Sequence, residues 1–250
     1  MGVSIVIKEL SFGYRNDRFT LKDISLNVTQ DMFPLAIVGP NGSGKTTLLK
    51  NLVGIYTPQR GHVYIDSVDV HRVSARERAS LVGVLFPDKA YPASVPVIDV
   101  IMAGMYRFVK PIGGYTLQDM DKAYTVMKQL DIIHLKDRLF STLSSGERQL
   151  VLTAMVMLQS PKVILLDEPT SFLDPYHRFI LVDIIRLLSE KHQVVLTSHD
   201  IEFVKAVAHF SVGIKDGKII YTGRTDMFLQ SAFEKVFGIP FTKYIGVFGL

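Results

Sequence analysis

Nine consecutive residues, Gly39-Pro40-Asn41-Gly42-Ser43-Gly44-Lys45-Thr46-Thr47, limit the folds open to this 250-residue chain more than anything else in it. The order is Gly, four residues, then Gly-Lys-Thr, and each residue type has a physical purpose. Glycines let successive backbone N–H groups turn inward and form a nest that holds an anion. A helix opening at the end of the run adds the positive end of its dipole. Lys45 brings a mobile charge able to follow the outer phosphates of a nucleotide, and the Thr46 hydroxyl suits Mg²⁺. The same residues could form an ordinary glycine-rich turn before a helix. Their surroundings argue otherwise: the apolar run Leu35-Ala36-Ile37-Val38 precedes them, and Leu48-Leu49 with Leu52-Val53 follow. Strand, loop and helix come in the order that a phosphate loop needs.

The chain is long enough for one large domain or two small ones, and 48% hydrophobic against 21% charged residues describes a globular protein with ample core material. A mean hydropathy of +0.24 points to apolar surface kept for partners. The net charge of +4 suits a polyanionic nucleotide. With no basic run and no aromatic-interleaved patch, nucleic acid is not expected as a partner. The absence of cysteine excludes disulfides, thiolate metal centres and Cys nucleophiles, and fits a reducing compartment. Met1 to Leu10 lacks a leader's apolar segment, and no uninterrupted apolar window reaches about 18 residues. A cytoplasmic chain is expected.

Along the chain, alternation at Val3, Ile5 and Ile7, again over Ile24–Val28 and over His62–Asp66, predicts three half-exposed strands in an antiparallel layer. Four nearly continuous apolar runs, Leu35–Val38, Val82–Phe86, Val163–Leu166 and Val194–Leu196, predict strands buried on both faces of a parallel sheet. They end in Gly39, Pro87-Asp88, Asp167-Glu168 and Ser198-His199. Ligands of open parallel sheets bind outside the carboxyl ends of the strands, so the four ends converge on one site. From Asp88 to Ser144 the character changes to prolines and glycines, then to helical spacing at Met120, Ala123, Tyr124, Met127 and Leu130, read as core. A helix is expected from Asp174-Pro175 to about Ser189, with Leu181, Ile184, Ile185 and Leu188 on one face, then a hairpin turning at Asp216-Gly217. The Phe-rich tail from Phe228 to Leu250 reads as a packed last helix and strand.

Asp167 and Glu168 end a buried apolar strand, a costly place for carboxylates unless a cation meets them. Beside a phosphate loop, Asp167 can hold Mg²⁺ and Glu168 can polarise an attacking water. Alone, the pair would read as surface acids.

The order of the remaining motifs is more specific than the loop. Leu143-Ser144-Ser145-Gly146-Glu147-Arg148-Gln149 precedes Asp167-Glu168-Pro169-Thr170, then come Ser171-Phe172-Leu173-Asp174 and Thr197-Ser198-His199-Asp200. Over essentially its whole length the chain resembles the ATP-binding subunits of ABC transporters. The resemblance implies an α/β P-loop NTPase (RecA-like) fold: a parallel-sheet core with an antiparallel β-layer and an inserted helical subdomain. It implies a single domain over 1–250, with the core at 1–87 and 151–225, the helical part at 88–150 and a tail at 226–250. It also implies a head-to-tail homodimer sandwiching two ATP molecules. Ser144, Ser145 and Gly146, with Glu147 behind them, would face the γ-phosphate held by the partner copy. An N-cap for the following helix is the plainer reading of Ser144 and Glu147, and both can hold. By the same resemblance, His199 would contact the γ-phosphate and orient water, Asp174 would lie at the dimer seam, and Tyr14 would stack on adenine. Phe12 nearby leaves a core role open for Tyr14.

Three positions depart from the family pattern. Pro87 stands where a Gln is expected after the second core strand, and offers neither an amide oxygen for Mg²⁺ nor a donor for water. Either Asp88 substitutes as a metal ligand or hydrolysis is slow. Met155 replaces a common Arg, and Ser67 occupies a turn that is usually glycine. Asp99-Val100-Ile101-Met102-Ala103-Gly104-Met105, Asp119, Asp121 and the Leu-Ser-x-Gly-Glu-x-Gln form are similar to importer ATPases for metal chelates: iron-siderophore, haem and cobalamin. That branch implies integral membrane permease subunits, an external substrate-binding protein and a place at the cytoplasmic face of the membrane. A soluble ABC-type ATPase of translation, repair or cofactor assembly, and a weakly hydrolysing regulatory module, remain open alternatives.

Overall fold

The computed structural model describes residues 3–14, 20–86, 94–109, 114–171 and 173–248, without the side chains of 245–248. The first third of the chain carries β1 (Ile5–Phe12), β2 (Leu21–Val28), β3 (Leu35–Val38), α1 (Lys45–Leu52), β4 (Arg60–Ile65) and β5 (Val68–Asp69). Next come α2 (Ala75–Leu81), β6 (Val82–Leu85), α3 (Val97–Met102), α4 (Leu117–Gln129) and α5 (Ser145–Gln159). After them run β7 (Val163–Leu166), α6 (Pro175–Ser189), β8 (Gln193–Ser198), α7 (Ile201–Val207), β9 (Phe210–Lys215) and β10 (Lys218–Arg224). Three short helices follow: α8 (Thr225–Ser231), α9 (Phe233–Phe237) and α10 (Phe241–Phe248).

The strands form two sheets, one in the order β2-β1-β4-β5 and one in the order β10-β9-β3-β8-β7-β6. The first is antiparallel throughout. In the second, β9, β3, β8, β7 and β6 are mutually parallel, and only β10 runs back against β9. The hairpin turn at Asp216-Gly217 has φ of 50° and 75°, the pair of left-handed residues that a tight two-residue turn requires. Ser67, at the β4–β5 turn, has φ 65°, which explains why glycine is the easier residue there.

Alternation along each central strand divides the core in two. Leu35, Ile37, Val163, Leu165 and Val195 point into a cluster shared with the antiparallel sheet and with Leu48, Leu49 and Leu52 of α1. Ala36, Val38, Ile164, Leu166, Val194 and Leu196 point the other way, into a cluster built with the helices. Both faces of these strands are thus covered, which is why they read as continuous apolar runs. In α4, Ala123 and Met127 are buried, with Met120 and Tyr124 packed beside them, as core positions should be. The helix α5 runs unbroken from 145 to 159, across the division expected at 150.

The tail differs from expectation. Among the described residues no strand follows β10. The aromatics at 228, 233, 237, 241 and 244 recur at helical rather than alternating intervals. Phe228 and Phe233 are fully buried, and the Phe233 and Phe237 rings stack at 4.8 Å.

Candidate functional site

The parallel pairing of β3, β8, β7 and β6 brings their carboxyl ends to one edge of the sheet. Beyond β3 the chain enters the glycine-rich loop. A Cβ at Gly39 would lie 2.2 Å from the Ile214 carbonyl oxygen, and Gly44, which opens α1, has φ 109°, so neither position tolerates a side chain. The Lys45 ammonium is buried and turned back into the loop, donating to the carbonyls of Gly39 at 2.8 Å and Pro40 at 3.3 Å. Ser43 Oγ, also buried, has no hydrogen-bond partner among the described residues. An anion fits this cradle: a lysine, an unpaired hydroxyl and a helix start all face the loop.

Beyond β7, Asp167 is buried, and its Oδ1 accepts from Thr46 Oγ1 at 3.1 Å and from Thr197 Oγ1 at 2.7 Å. Burial pushes its carboxyl above the usual range, the two threonine bonds pull it down, and nearby Glu168 raises it further. Among the described residues no three His, Asp or Glu side chains form an all-protein metal site. A threonine hydroxyl beside one carboxylate is the sparse oxygen set that Mg²⁺ uses when phosphates and water complete its octahedron. The expected third ligand, Asp88, and its neighbour Pro87 lie outside the described residues.

Glu168 adopts a left-handed φ of 44°, a conformation that costs energy for a residue with a side chain. Its N–H donates to Thr197 Oγ1 at 2.9 Å. One carboxylate oxygen lies 3.2 Å from Lys45 Nζ, and the other lies 2.8 Å from His199 Nδ1. A carboxylate held between the loop lysine and a strand-end histidine can accept a proton from a water at the mouth of the loop. Tyr14 is 59% exposed, so it is not the core residue that Phe12 is, and its hydroxyl shares a 2.9 Å hydrogen bond with Thr47.

Lys45, Thr46, Asp167, Glu168 and His199 are therefore brought together. Ser144, Ser145, Gly146, Glu147 and Asp174 are not: among the described residues no hydrogen bond or ion pair joins them to the phosphate loop within one chain. Ser144 instead caps α5. Its Oγ accepts from the Glu147 N–H at 3.2 Å while Glu147 accepts from the Ser144 N–H at 2.7 Å. That bond holds the Glu147 carboxyl below its usual range. Asp174 caps α6 and accepts from the His177 N–H at 2.9 Å, with His177 Nδ1 2.8 Å from its other oxygen. The His177 ring lies over Gly146, where an added Cβ would meet it at 1.9 Å. His177 is absent from the sequence reading, and Thr197 enters it only as part of the Thr197-Ser198-His199-Asp200 motif, with no role of its own. Thr197, a polar residue inside an apolar strand, was the detectable signal; His177 shows only as the third residue after a helix cap.

The sequence profile of the ABC transporter family matches residues 21–171, more than half of the chain. The chain belongs to that family. An uncharacterized ABC transporter ATP-binding protein of Methanocaldococcus jannaschii is 32% identical over 86% of this ABC ATPase and 74% of its own length. The ferric enterobactin transport ATP-binding protein FepC of Escherichia coli is 29% identical over 93% of the ATPase and 86% of its own length. Among solved structures, a chain from a transporter assigned to the metal-chelate type, in an inward-facing conformation, superposes with a TM-score of 0.82. It is 27% identical and covers 96% of the ATPase and 90% of itself. The protein is accordingly an ATP-binding, ATP-hydrolysing ABC transporter subunit.

Proposed function

We propose that this ATPase drives import of a metal-chelate-type substrate from the cytoplasmic face of a membrane, docked on integral permease subunits that an external binding protein supplies. The likeness to FepC and to the metal-chelate-type structure supports the branch. Among the described residues no helix is long and apolar enough to cross a bilayer, so passage of substrate would belong to other subunits.

The observation that carries the ATPase reading is the Lys45–Glu168–His199 cluster at the mouth of the loop. Residues Gly39 to Thr47 would hold the phosphates, Lys45 the outer ones, and Tyr14 would stack on the base. Thr46 and Asp167, with Asp88 as the expected third ligand, would hold Mg²⁺, which neutralises charge developing on the phosphates. Glu168 would take the proton of the attacking water, and His199 would fix the Glu168 carboxylate and sense the terminal phosphate. Ser144, Ser145, Gly146 and Glu147 would complete the site of a second copy arranged head to tail, with Asp174 at the seam. Ser144 and Ser145 are exposed at the start of a 15-residue helix, as that contact requires.

Purification of the tagged protein from gently solubilised membranes, with mass spectrometry of co-eluting chains, tests the transport reading. A multi-span permease in near-stoichiometric amount is expected. Recovery of a soluble ribosomal, repair or assembly partner in its place would overturn it.

A further inference from the structure

Three separate segments hold Tyr14. At the end of β1, the Phe12 carbonyl accepts from the Thr20 N–H at 2.7 Å. The next residue, Gly13, makes two hydrogen bonds to a single side chain: its N–H donates to Gln59 Oε1 at 2.6 Å, and its carbonyl accepts from Gln59 Nε2 at 3.1 Å. A carboxamide offers an acceptor and a donor side by side at any pH, so Gln59 mimics the edge of a neighbouring strand. Its backbone is in turn fixed by donation to the Ser11 carbonyl at 3.0 Å. The Tyr14 ring meets Phe12 and Tyr56 edge-on at 5.3 and 5.6 Å, while Phe12 and Tyr56 stack on each other at 4.9 Å. The Tyr14 hydroxyl is tied to Thr47 on α1.

We propose that Gln59 is a positioning residue for nucleotide binding: by clamping Gly13 it sets the plane that Tyr14 presents to the base of the bound nucleotide. The inference rests on the reading of Tyr14 as the base platform. Glycine is the most permissive backbone residue, and an exposed ring gains little from burial to fix its own direction. Without the clamp, each binding event would have to order the Gly13–Tyr14 backbone anew, which weakens affinity without touching the phosphate contacts. Gln59 lies away from the loop in sequence and carries no charge, so its effect should depend on the base and not on the triphosphate.

The test is equilibrium titration of the full chain with Mg-ATP and, separately, with Mg-tripolyphosphate, which has no base. The set is wild type, Gln59→Leu, Gln59→Glu and Tyr14→Ala. Gln59→Leu is expected to raise the Kd for ATP about five- to tenfold, the scale of a lost stacking contact. The Kd for tripolyphosphate should stay at the wild-type value, and steady-state KM should rise by the same factor with kcat retained. Gln59→Glu keeps the acceptor for the Gly13 N–H but faces the Gly13 carbonyl with a carboxylate, so it should weaken ATP as well. It also carries the test should the leucine variant fold poorly. Wild-type ATP affinity in both Gln59 variants beside a weakened Tyr14→Ala would remove the role of Gln59 alone. Parallel losses for ATP and tripolyphosphate in the Gln59 variants would also overturn it, because the defect would then be general. Wild-type ATP affinity in Tyr14→Ala would bring down the base platform itself, and the Gln59 role with it.

Discussion

The phosphate loop and the signature segment, Leu143 to Gln149, are both polar helix starts in the same chain, yet they are built on opposite terms. At the loop, Gly44 precedes α1 in a left-handed conformation with no side-chain cap, and the Ser43 hydroxyl is buried with no partner among the described residues. Among the described residues Lys45 is met by two carbonyls and Glu168, and the buried Asp167 holds its proton more tightly than usual. At the signature, the capping box of Ser144 and Glu147 closes on itself, and Arg138 donates to Glu147 at 3.1 Å. One region confines a lysine, two carboxylates and an unpaired hydroxyl in little space; the other satisfies its polar groups in a closed cap and only then presents Ser144 and Ser145 outward. Function should therefore cost stability at the loop and coincide with stability at the signature.

The largest expected effect lies at Glu168. Glu168→Gln keeps the shape and the contact to His199 but removes the base. Turnover should fall about a hundred- to ten-thousandfold, the usual worth of a positioned base. ATP affinity should hold or rise, since the loop residues stay in place and Lys45 loses a competing negative charge, and ATP-bound dimer should accumulate on gel filtration. A turnover rate within twofold of wild type would exclude Glu168 as the base and assign proton removal to another group.

How much of this was legible follows from which forces act locally. The loop, the four buried strands and the two acids could be read because hydrophobic continuity and glycine spacing are properties of short windows. Strand order was not readable in that way, but the parallel core was, because double burial leaves no polar face. The Thr197 bridge between Asp167 and the Glu168 N–H escaped notice because it depends on β7 and β8 lying side by side, residues about thirty positions apart in the chain. The strand expected in the tail, beside the packed helix that is found there, failed for a different reason. Phenylalanine is common in strands, and its residue type outweighed its helical intervals. The Gln59 clamp could not be foreseen at all, since nothing at position 59 signals that Gly13 lies opposite.

A middle-sized effect separates the two regions by sign. Asp167→Asn retains an oxygen to accept from Thr46 and Thr197 while removing a buried charge. It should slow Mg²⁺-dependent hydrolysis by less than the loss of Glu168 does, yet stabilise the nucleotide-free protein by up to about 1 kcal/mol. The sign can be checked against pH. Because the folded Asp167 carboxyl binds its proton more tightly than the ordinary value of 3.8, its contribution favours folding at low pH and is lost as pH rises through the folded value. The variant's advantage should thus be absent in acid and open as the pH rises above the ordinary carboxylate range. Chemical denaturation at several pH values, without nucleotide or metal, measures it. A destabilised Asp167→Asn at neutral pH would refute the view that the loop side is built under strain.

The smallest effect belongs to the signature and tests whether its two roles can be pulled apart. Ser144→Ala removes an N-cap and should cost about 1 kcal/mol, with the opposite sign to Asp167→Asn. Stability alone would not tell a cap from a phosphate contact, so the informative variant is Ser144→Asp. Aspartate is as good a cap as serine and its charge suits a helix N-terminus, so stability should return to the wild-type level. The same charge, exposed where a second copy would bring a terminal phosphate, should repel that phosphate and leave ATP-driven dimerisation and turnover depressed. Recovery of turnover together with stability would mean that Ser144 serves the fold alone. Recovery of stability without turnover would mean that the closed capping box is the scaffold for a contact made only across the dimer.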